Sequence, residues 1–278
     1  MPAKIRPERA RAEPSIPVEK LPDGTVVVDT GGRDANGRPV DYHAVNALIR
    51  ALMAGGTKRI VMNGVMGQRY IAASATGDIR IEIHGTPGND LGAFLDGPTI
   101  EVFGNAQDQT GNTMNAGRIV VHGNAWDVTG LAARGGTILI QRDTGYRVGI
   151  HMKEYCGTKP TLVIGGRAKD YLGEYMAGGV IVVLGEGCAP GDSPVGLNIG
   201  AGIHGGVMFI RGKVEEHQLG AGATLDRLTP EDSERLVQIL EDFETAFEST
   251  TSRDWNQWVK VHPASTRPFS GHYDPTCV

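Results

Sequence analysis

Four short polar side chains recur at matching places along the middle of the chain: Asn89, Asp108, Asp127 and Asp170. Carboxylates aligned on one edge could supply the acid and base of a polysaccharide lyase or glycoside hydrolase, since that chemistry works through paired carboxyl groups. Each of the four, however, falls five or fewer residues after an apolar run and inside a glycine turn. Asn and Asp are favoured there for backbone hydrogen bonding alone, and the turn role outweighs the catalytic one. His151 and His204 both follow Gly-Ile and are expected at equivalent corners. A metal ion would need a third ligand beside them, for which Glu154 or Glu174 could be proposed. A lone corner histidine could also act as the base of an acyltransferase built on six-residue repeats, but the interval here is not a multiple of six. Bonding to corner backbone, or contact with a partner, is the expected role.

A third group breaks the small-residue rule of the turns. Tyr146, Arg147, Lys153, Glu154 and Tyr155 lie in one turn, and Lys169, Asp170, Tyr171, Glu174 and Tyr175 in the next. They are read either as a solvated face or, together with His151 and His204, as a subunit interface, for which aromatic and Arg enrichment is a modest signal. The glycine-rich stretch GGRAKDYLGEY lacks the strand–loop–helix setting of a phosphate cradle. No catalytic residue, bound cofactor or metal site is expected on this chain.

Positioning all of these is a repeat. IEVFGNAQDQTGNTMNAG from Ile100, IVVHGNAWDVTGLAARGG from Ile119 and ILIQRDTGYRVGIHMKEY from Ile138 follow one another; LVIGGRAKDYLGEYMAGG follows from Leu162, and a looser copy begins at Ile81. The inner glycines Gly92, Gly111, Gly130, Gly149 and Gly173 are spaced by 19, 19, 19 and 24 residues. Each copy opens with a strand-like apolar run, turns through Gly-Asn-Ala-x-Asp, and closes at a further glycine corner. One copy cannot bury its apolar side, whereas stacked copies share an interior. The spacing therefore predicts an all-β-dominated fold, a parallel β-helix advancing one coil per repeat. Its glycines are expected where a Cβ would strike the turn stacked above or below.

Glycine supplies 40 of the 278 residues, about twice the average share, without the three-residue period of collagen. The net charge of −5 comes with no basic stripe, so nucleic acid is not expected as a partner. No apolar run is long enough to span a bilayer, and the Pro-rich, charged start MPAKIRPERARAEPSIPVEKLPDG lacks the apolar core of a signal peptide. Cys156, Cys188 and Cys277 form no CxxC pair, which speaks against an iron–sulfur or structural zinc site and for a reduced cytoplasmic protein. The expected organisation is a flexible arm over 1–25, a helix-and-strand cap over 26–80, the coils over 81–215, and a helix with an extended tail over 216–278. Val45, Leu48, Ile49, Leu52 and Met53 are spaced for the first helix, and Leu236, Val237, Ile239, Leu240, Phe243 and Phe247 for the second.

GNAQDQTGNTM, GRIVVHGNAWD, GYRVGIHMKEY, DYLGEYMAGGVIVVLG and GIHGGVMFIRG resemble the GXGXG-repeat domain of glutamate synthases, and DWNQWVKVHP resembles that domain's closing segment. The likeness runs from about Val26 to Pro263 and is strongest to split enzymes in which this domain is a separate subunit, as in archaeal-type glutamate synthase and N-methylglutamate synthase. One of the subunits of formylmethanofuran dehydrogenase shares the repeat. The resemblance implies a right-handed β-helix with capping helices and no chemistry of its own. It also implies two partners: a glutamine amidotransferase-type subunit, and a synthase-type subunit that holds FMN and an iron–sulfur cluster. The amidotransferase nucleophile is absent, since residue 2 is proline and no cysteine precedes Cys156. The expected function is a non-catalytic coupling subunit across which ammonia passes between partner sites. The rival readings are a scaffold in a formylmethanofuran dehydrogenase or formyltransferase/hydrolase complex, and a stand-alone carbohydrate-active β-helix.

Overall fold

The protein is described by a computed structural model covering residues 16–33, 36–155, 157–189 and 191–265. The first strands and helix are β1 (Val18–Lys20), β2 (Val26–Asp29), α1 (Tyr42–Ala54) and β3 (Arg59–Met66). Then come β4 (Arg80–Thr86), β5 (Asp96–Phe103), β6 (Ala116–Val121), β7 (Thr137–Ile140), β8 (Thr161–Ile164), β9 (Ala177–Val183) and β10 (Gly205–Arg211). The chain closes with β11 (Ala223–Asp226), α2 (Pro230–Phe247) and β12 (Trp258–Pro263).

From β2 to β10 every strand pairs in parallel with the next, one strand per coil. The register is strict: Ile60, Ile81, Ile100, Ile119, Ile138, Leu162, Ile181 and Met208 form one column of directly stacked partners. Two residues on, Met62, Ile83, Val102, Val121, Ile140, Ile164, Val183 and Ile210 form another, and both columns are buried inside the coils. This is the expected parallel β-solenoid. The stack reaches back past the expected boundary at residue 81, because β2 and β3 are coils of the same ladder.

The repeat glycines are required by the interior rather than by the neighbouring turn, which corrects the expected reason for them. A Cβ on Gly92 would lie 2.8 Å from Ile119 Cδ1 and one on Gly173 would lie 2.7 Å from Met208 Sδ. On Gly111 and Gly149 it would overlap Ile138 and Ile181, while Gly130 is looser, 3.4 Å from Leu162 Cδ2. The strand column thus fills the space that a side chain on the opposite arm would need.

Both ends of the stack are closed by antiparallel strands, which leave no long parallel edge open to another chain. β1 covers β2 at the N-terminal end, so the part of the expected flexible arm from Val18 to Lys20 is held in the sheet; residues before Ile16 lie outside the described residues. β12 covers β10 at the other end and is itself flanked by β11. The DWNQWVKVHP segment therefore packs on the chain's own last coil. α1 buries Val45 and Ile49 in the main core and is tied to the first coil by Asn46, whose Nδ2 donates to the Arg69 carbonyl at 2.8 Å.

The second helix leaves its mark on the strand pattern. Between the two interior columns each strand carries one outward residue: Glu82 and Glu101 on β4 and β5, then Val120, Leu139, Val163, Val182 and Phe209 on β6 to β10. The switch from glutamate to apolar marks where α2 lies on the outside of the sheet, burying Leu236, Leu240, Phe243 and Phe247 against that apolar column. Thr229 and Asp232 form its capping box, Arg118 holds Asp242 at 2.7 Å, and Lys260 of β12 holds Asp232 at 2.7 Å.

At the helix end Arg253 grips Glu244 through both carboxylate oxygens, at 2.7 and 2.9 Å, and the Thr251 N–H adds a third bond. The guanidinium holds the Glu244 carboxyl below the ordinary glutamate range, against the opposing effect of burial. A carboxylate depressed in the folded state contributes stability that is present above its unfolded value and lost as pH falls through the folded one. The urea midpoint of the wild-type chain is therefore expected to drop more steeply below the ordinary glutamate range than that of Glu244→Gln.

Candidate functional site

The Asx row ties successive coils together. Asp108 Oδ1 accepts the Asp127 N–H at 3.2 Å, Asp127 Oδ1 the Tyr146 N–H at 2.8 Å, and Asp170 Oδ1 the Leu197 N–H at 2.9 Å. Asn89 stands in the same row, its carbonyl accepting the Tyr70 N–H. Asn89 is thus bonded through its carbonyl to the coil before it, whereas the side chains of Asp108, Asp127 and Asp170 reach across to the next coil rather than bonding within their own turns. A second row, not singled out in the sequence, does the same. Asn105 accepts from the Asn124 N–H, Asn124 from Asp143 and Asp143 from Arg167, at 2.9, 3.1 and 2.8 Å. Its signal was the 19-residue recurrence of a turn Asx at 105, 124 and 143.

These bonds explain a further glycine. A Cβ on Gly145 would fall on Asp127 Oδ1, so the backbone can approach the carboxylate only because residue 145 has none. Asp127→Ala leaves the Tyr146 N–H without its charged acceptor and is expected to cost about 1.5–3 kcal/mol, the range for a hydrogen bond to a charged group. A fall in the urea midpoint checks it.

The two histidines are not equivalent. His151 donates its N–H to the Glu174 carbonyl and Tyr175 to the Ala201 carbonyl, so His151, Tyr175 and Gly202 share one column. His204 donates to Met176 as Lys153 does to Ala133, which puts it in a different column, level with Lys153. Insertions between the coils moved the register that Gly-Ile-His suggested. His151 stacks on Tyr175 with ring centroids 5.3 Å apart. Among the described residues no three His, Cys, Asp or Glu side chains converge as a metal site.

The remaining candidate interface residues form one connected face on the turn arm. Lys169 Nζ lies 4.8 Å over the Tyr146 ring, the Arg147 guanidinium 4.8 Å over Tyr171, and Lys153 Nζ 5.8 Å over Tyr155. Arg147 also pairs with Glu174 at 2.7 Å, and Glu154 with Lys159 at 3.6 Å. Tyr146, Tyr155 and Tyr175 remain 43%, 52% and 48% exposed. Sequence reading missed three neighbours: Trp126, Arg134 (over Tyr155) and Leu197. Trp126 is one coil below Gly145, a correspondence visible in the 19-residue interval.

Two other surfaces are distinct in character. The uncovered outer face of β4 and β5 carries a stacked His84–Phe103–His122 row, with Glu82 and Glu101 beneath. Around the insertion that follows β9 lie two polar hollows. One, of about 460 Å³, is lined by Asn124, Gln141, Arg142, Asp143, Gly166 and Glu186. The other, of about 560 Å³, holds Cys188, whose Sγ takes the Arg167 Nε–H at 3.1 Å. Burial pushes the Glu186 carboxyl up, against the pull of Arg211. Cys156 and Cys277 lie outside the described residues. No helix among the described residues is long and apolar enough to cross a membrane.

Known proteins share this sequence pattern. A sequence model of the family described as GXGXG motif matches residues 57–266. An uncharacterized protein of Methanocaldococcus jannaschii is 47% identical over 247 residues, covering 86% of this chain and 95% of that protein.

Proposed function

The chain belongs to the GXGXG motif family, and from that premise we propose that it is a non-catalytic coupling subunit of a glutamate synthase-type complex. It holds a glutamine amidotransferase-type subunit and a synthase-type subunit with FMN and an iron–sulfur cluster at a fixed separation, so that ammonia released at one site reaches the other. The observation that carries this reading is the fate of the carboxylates. Asp108, Asp127 and Asp170, the groups best placed for acid–base work, each accept a backbone N–H of the next coil. A general acid or base must instead meet a substrate proton.

The mechanical side follows from the ladder. Continuous parallel pairing, two Asx rows crossing the coils, and a helix strapped along β6 to β10 resist bending, which a flexible linker does not. The test is purification of the tagged chain from its native host, with identification of the retained subunits. Retention of an amidotransferase-type and a flavin/iron–sulfur subunit is the expected result; retention of formylmethanofuran dehydrogenase or formyltransferase/hydrolase subunits would replace this reading with that of a scaffold in such a complex. Turnover of a polysaccharide by the isolated chain, abolished in Asp127→Asn, would overturn both.

A further inference from the structure

We propose that the turn-arm face around Tyr146, Tyr155 and Tyr175 is the surface that docks a partner subunit, and that the partner presents an acidic protein surface to it. The inference rests on the coupling-subunit reading above and adds which face is used and what chemistry meets it.

The earlier coils expose rings in the same columns, Tyr70 at 42% and Phe94 at 51%, but from the coil of Trp126 onward exposed rings and cations lie against one another, Lys169 over Tyr146, Arg147 over Tyr171 and Lys153 over Tyr155. Trp126, Tyr155, Tyr175 and Leu197 are 58%, 52%, 48% and 46% exposed. Large apolar side chains held this far into solvent on one side of a rigid scaffold are characteristic of an interface core, where Trp, Tyr and Arg concentrate. Several of these positions are also held at an unfavourable backbone angle. Arg147, His151, Tyr171 and Tyr175 have φ of 54°, 57°, 63° and 52°, where Asn, Asp or Gly is less strained. Fold demands alone do not select Tyr, Arg and His there.

The charge balance points to the partner's sign. The carboxylates of this face already have donors: Asp127 and Asp170 hold N–H groups of the next coil, Glu174 holds Arg147, and Glu154 holds Lys159. The cations Arg134, Lys153 and Lys169 lie against tyrosine rings and, among the described residues, meet no carboxylate within ion-pair distance. Ring contacts orient an ammonium or guanidinium without neutralising it; these three positive charges stand beside Asp127 and Asp170, which their N–H bonds leave negative, so the face keeps a small positive excess on a chain whose net charge is −5. A second copy docked face to face would set these charges against themselves. A polyphosphate would gain nothing from the exposed Leu197 and Trp126. An acidic protein surface with apolar patches fits all of these features.

The experiment is zero-length carbodiimide coupling, which joins lysine amines only to carboxylates in direct contact, applied to the complex purified from the native host. It is read by mass spectrometry beside the double variant Lys153→Glu/Lys169→Glu. Expected are bonds from Lys153 and Lys169 to Asp or Glu of a retained subunit. The variant should retain that subunit at least tenfold less, with an unchanged melting temperature. Arg50→Glu/Lys58→Glu, which carries the same charge change near the other end, should retain it fully. A retained subunit that couples only elsewhere and survives the double variant overturns this inference and leaves the coupling role standing. Bonds joining two copies of this chain, or nucleic acid released from this face, overturn it as well. Retention of no subunit at all overturns both readings together.

Discussion

Gly104→Ala is expected to lower the melting temperature by about 10 °C, from a loss of about 3–5 kcal/mol that combines overpacking with a strained backbone. Gly104 follows β5 with φ at +158°, and a Cβ there would lie far inside van der Waals distance of the Gly85 carbonyl oxygen. That oxygen is backbone, in a residue paired with Val65 of the preceding coil, so it cannot swing away as a side chain would. Gly85 stands in the same relation to Val65, and Gly123 to Gly104. The column is a line of contact between successive coils, and relieving one clash separates two of them. The comparison variant is Gly67→Ala, where φ is +77° but nothing lies within 4 Å of the added carbon. Only the conformational cost of the left-handed angle applies there, about 1–2 kcal/mol. Thermal melts at one scan rate compare the two; equal shifts would remove the steric account.

Phe243→Ala is the second large effect, with a loss of about 3–5 kcal/mol expected for truncating a buried aromatic. Phe243 is 1% exposed, its ring centroid is 4.6 Å from that of Phe247, and it belongs to the cluster joining α2 to Val120, Leu139, Val163, Val182 and Phe209. That outward column exists to be covered, so the variant should loosen α2 before the coils themselves open. Helical circular dichroism is expected to melt ahead of the sheet signal, with a hydrophobic dye binding in between. Phe94→Ala, at a side chain 51% exposed, should change stability by no more than about 0.5 kcal/mol. A single coincident transition in Phe243→Ala would mean that helix and solenoid fold as one unit.

Much of the architecture was legible because stacking imposes periodicity. Every coil must deliver the same kind of residue to the same column, so Ile100, Ile119 and Ile138 recur at 19 residues, and so do Gly92, Gly111, Gly130 and Gly149. The helices were readable from apolar spacing and from the Thr229–Asp232 box. Reading failed where the interval changes. The insertions between β7 and β8 and between β9 and β10 shift the count, so that Gly-Ile-His at 151 and at 204 falls in different columns. The exposed face of rings and cations was only half visible. Tyr146, Lys153 and Tyr175 stood out as large residues in small-residue turns, whereas Trp126, Arg134 and Leu197 become their neighbours only once the coils are stacked.

By itself, then, the amino-acid order determined that this chain coils on itself in parallel, because no single repeat can bury its own isoleucines and only identical neighbours can. Tertiary structure alone decided three matters. Asp127 bonds to Tyr146 of the next coil rather than within its own turn; α2 lies along the outside of β6 to β10 rather than over an end; and free cations gather with exposed rings on one face. Each depends on which residues meet across 19 or more positions. Local propensity carries no information about such a meeting until hydrogen-bonded register brings the coils into line.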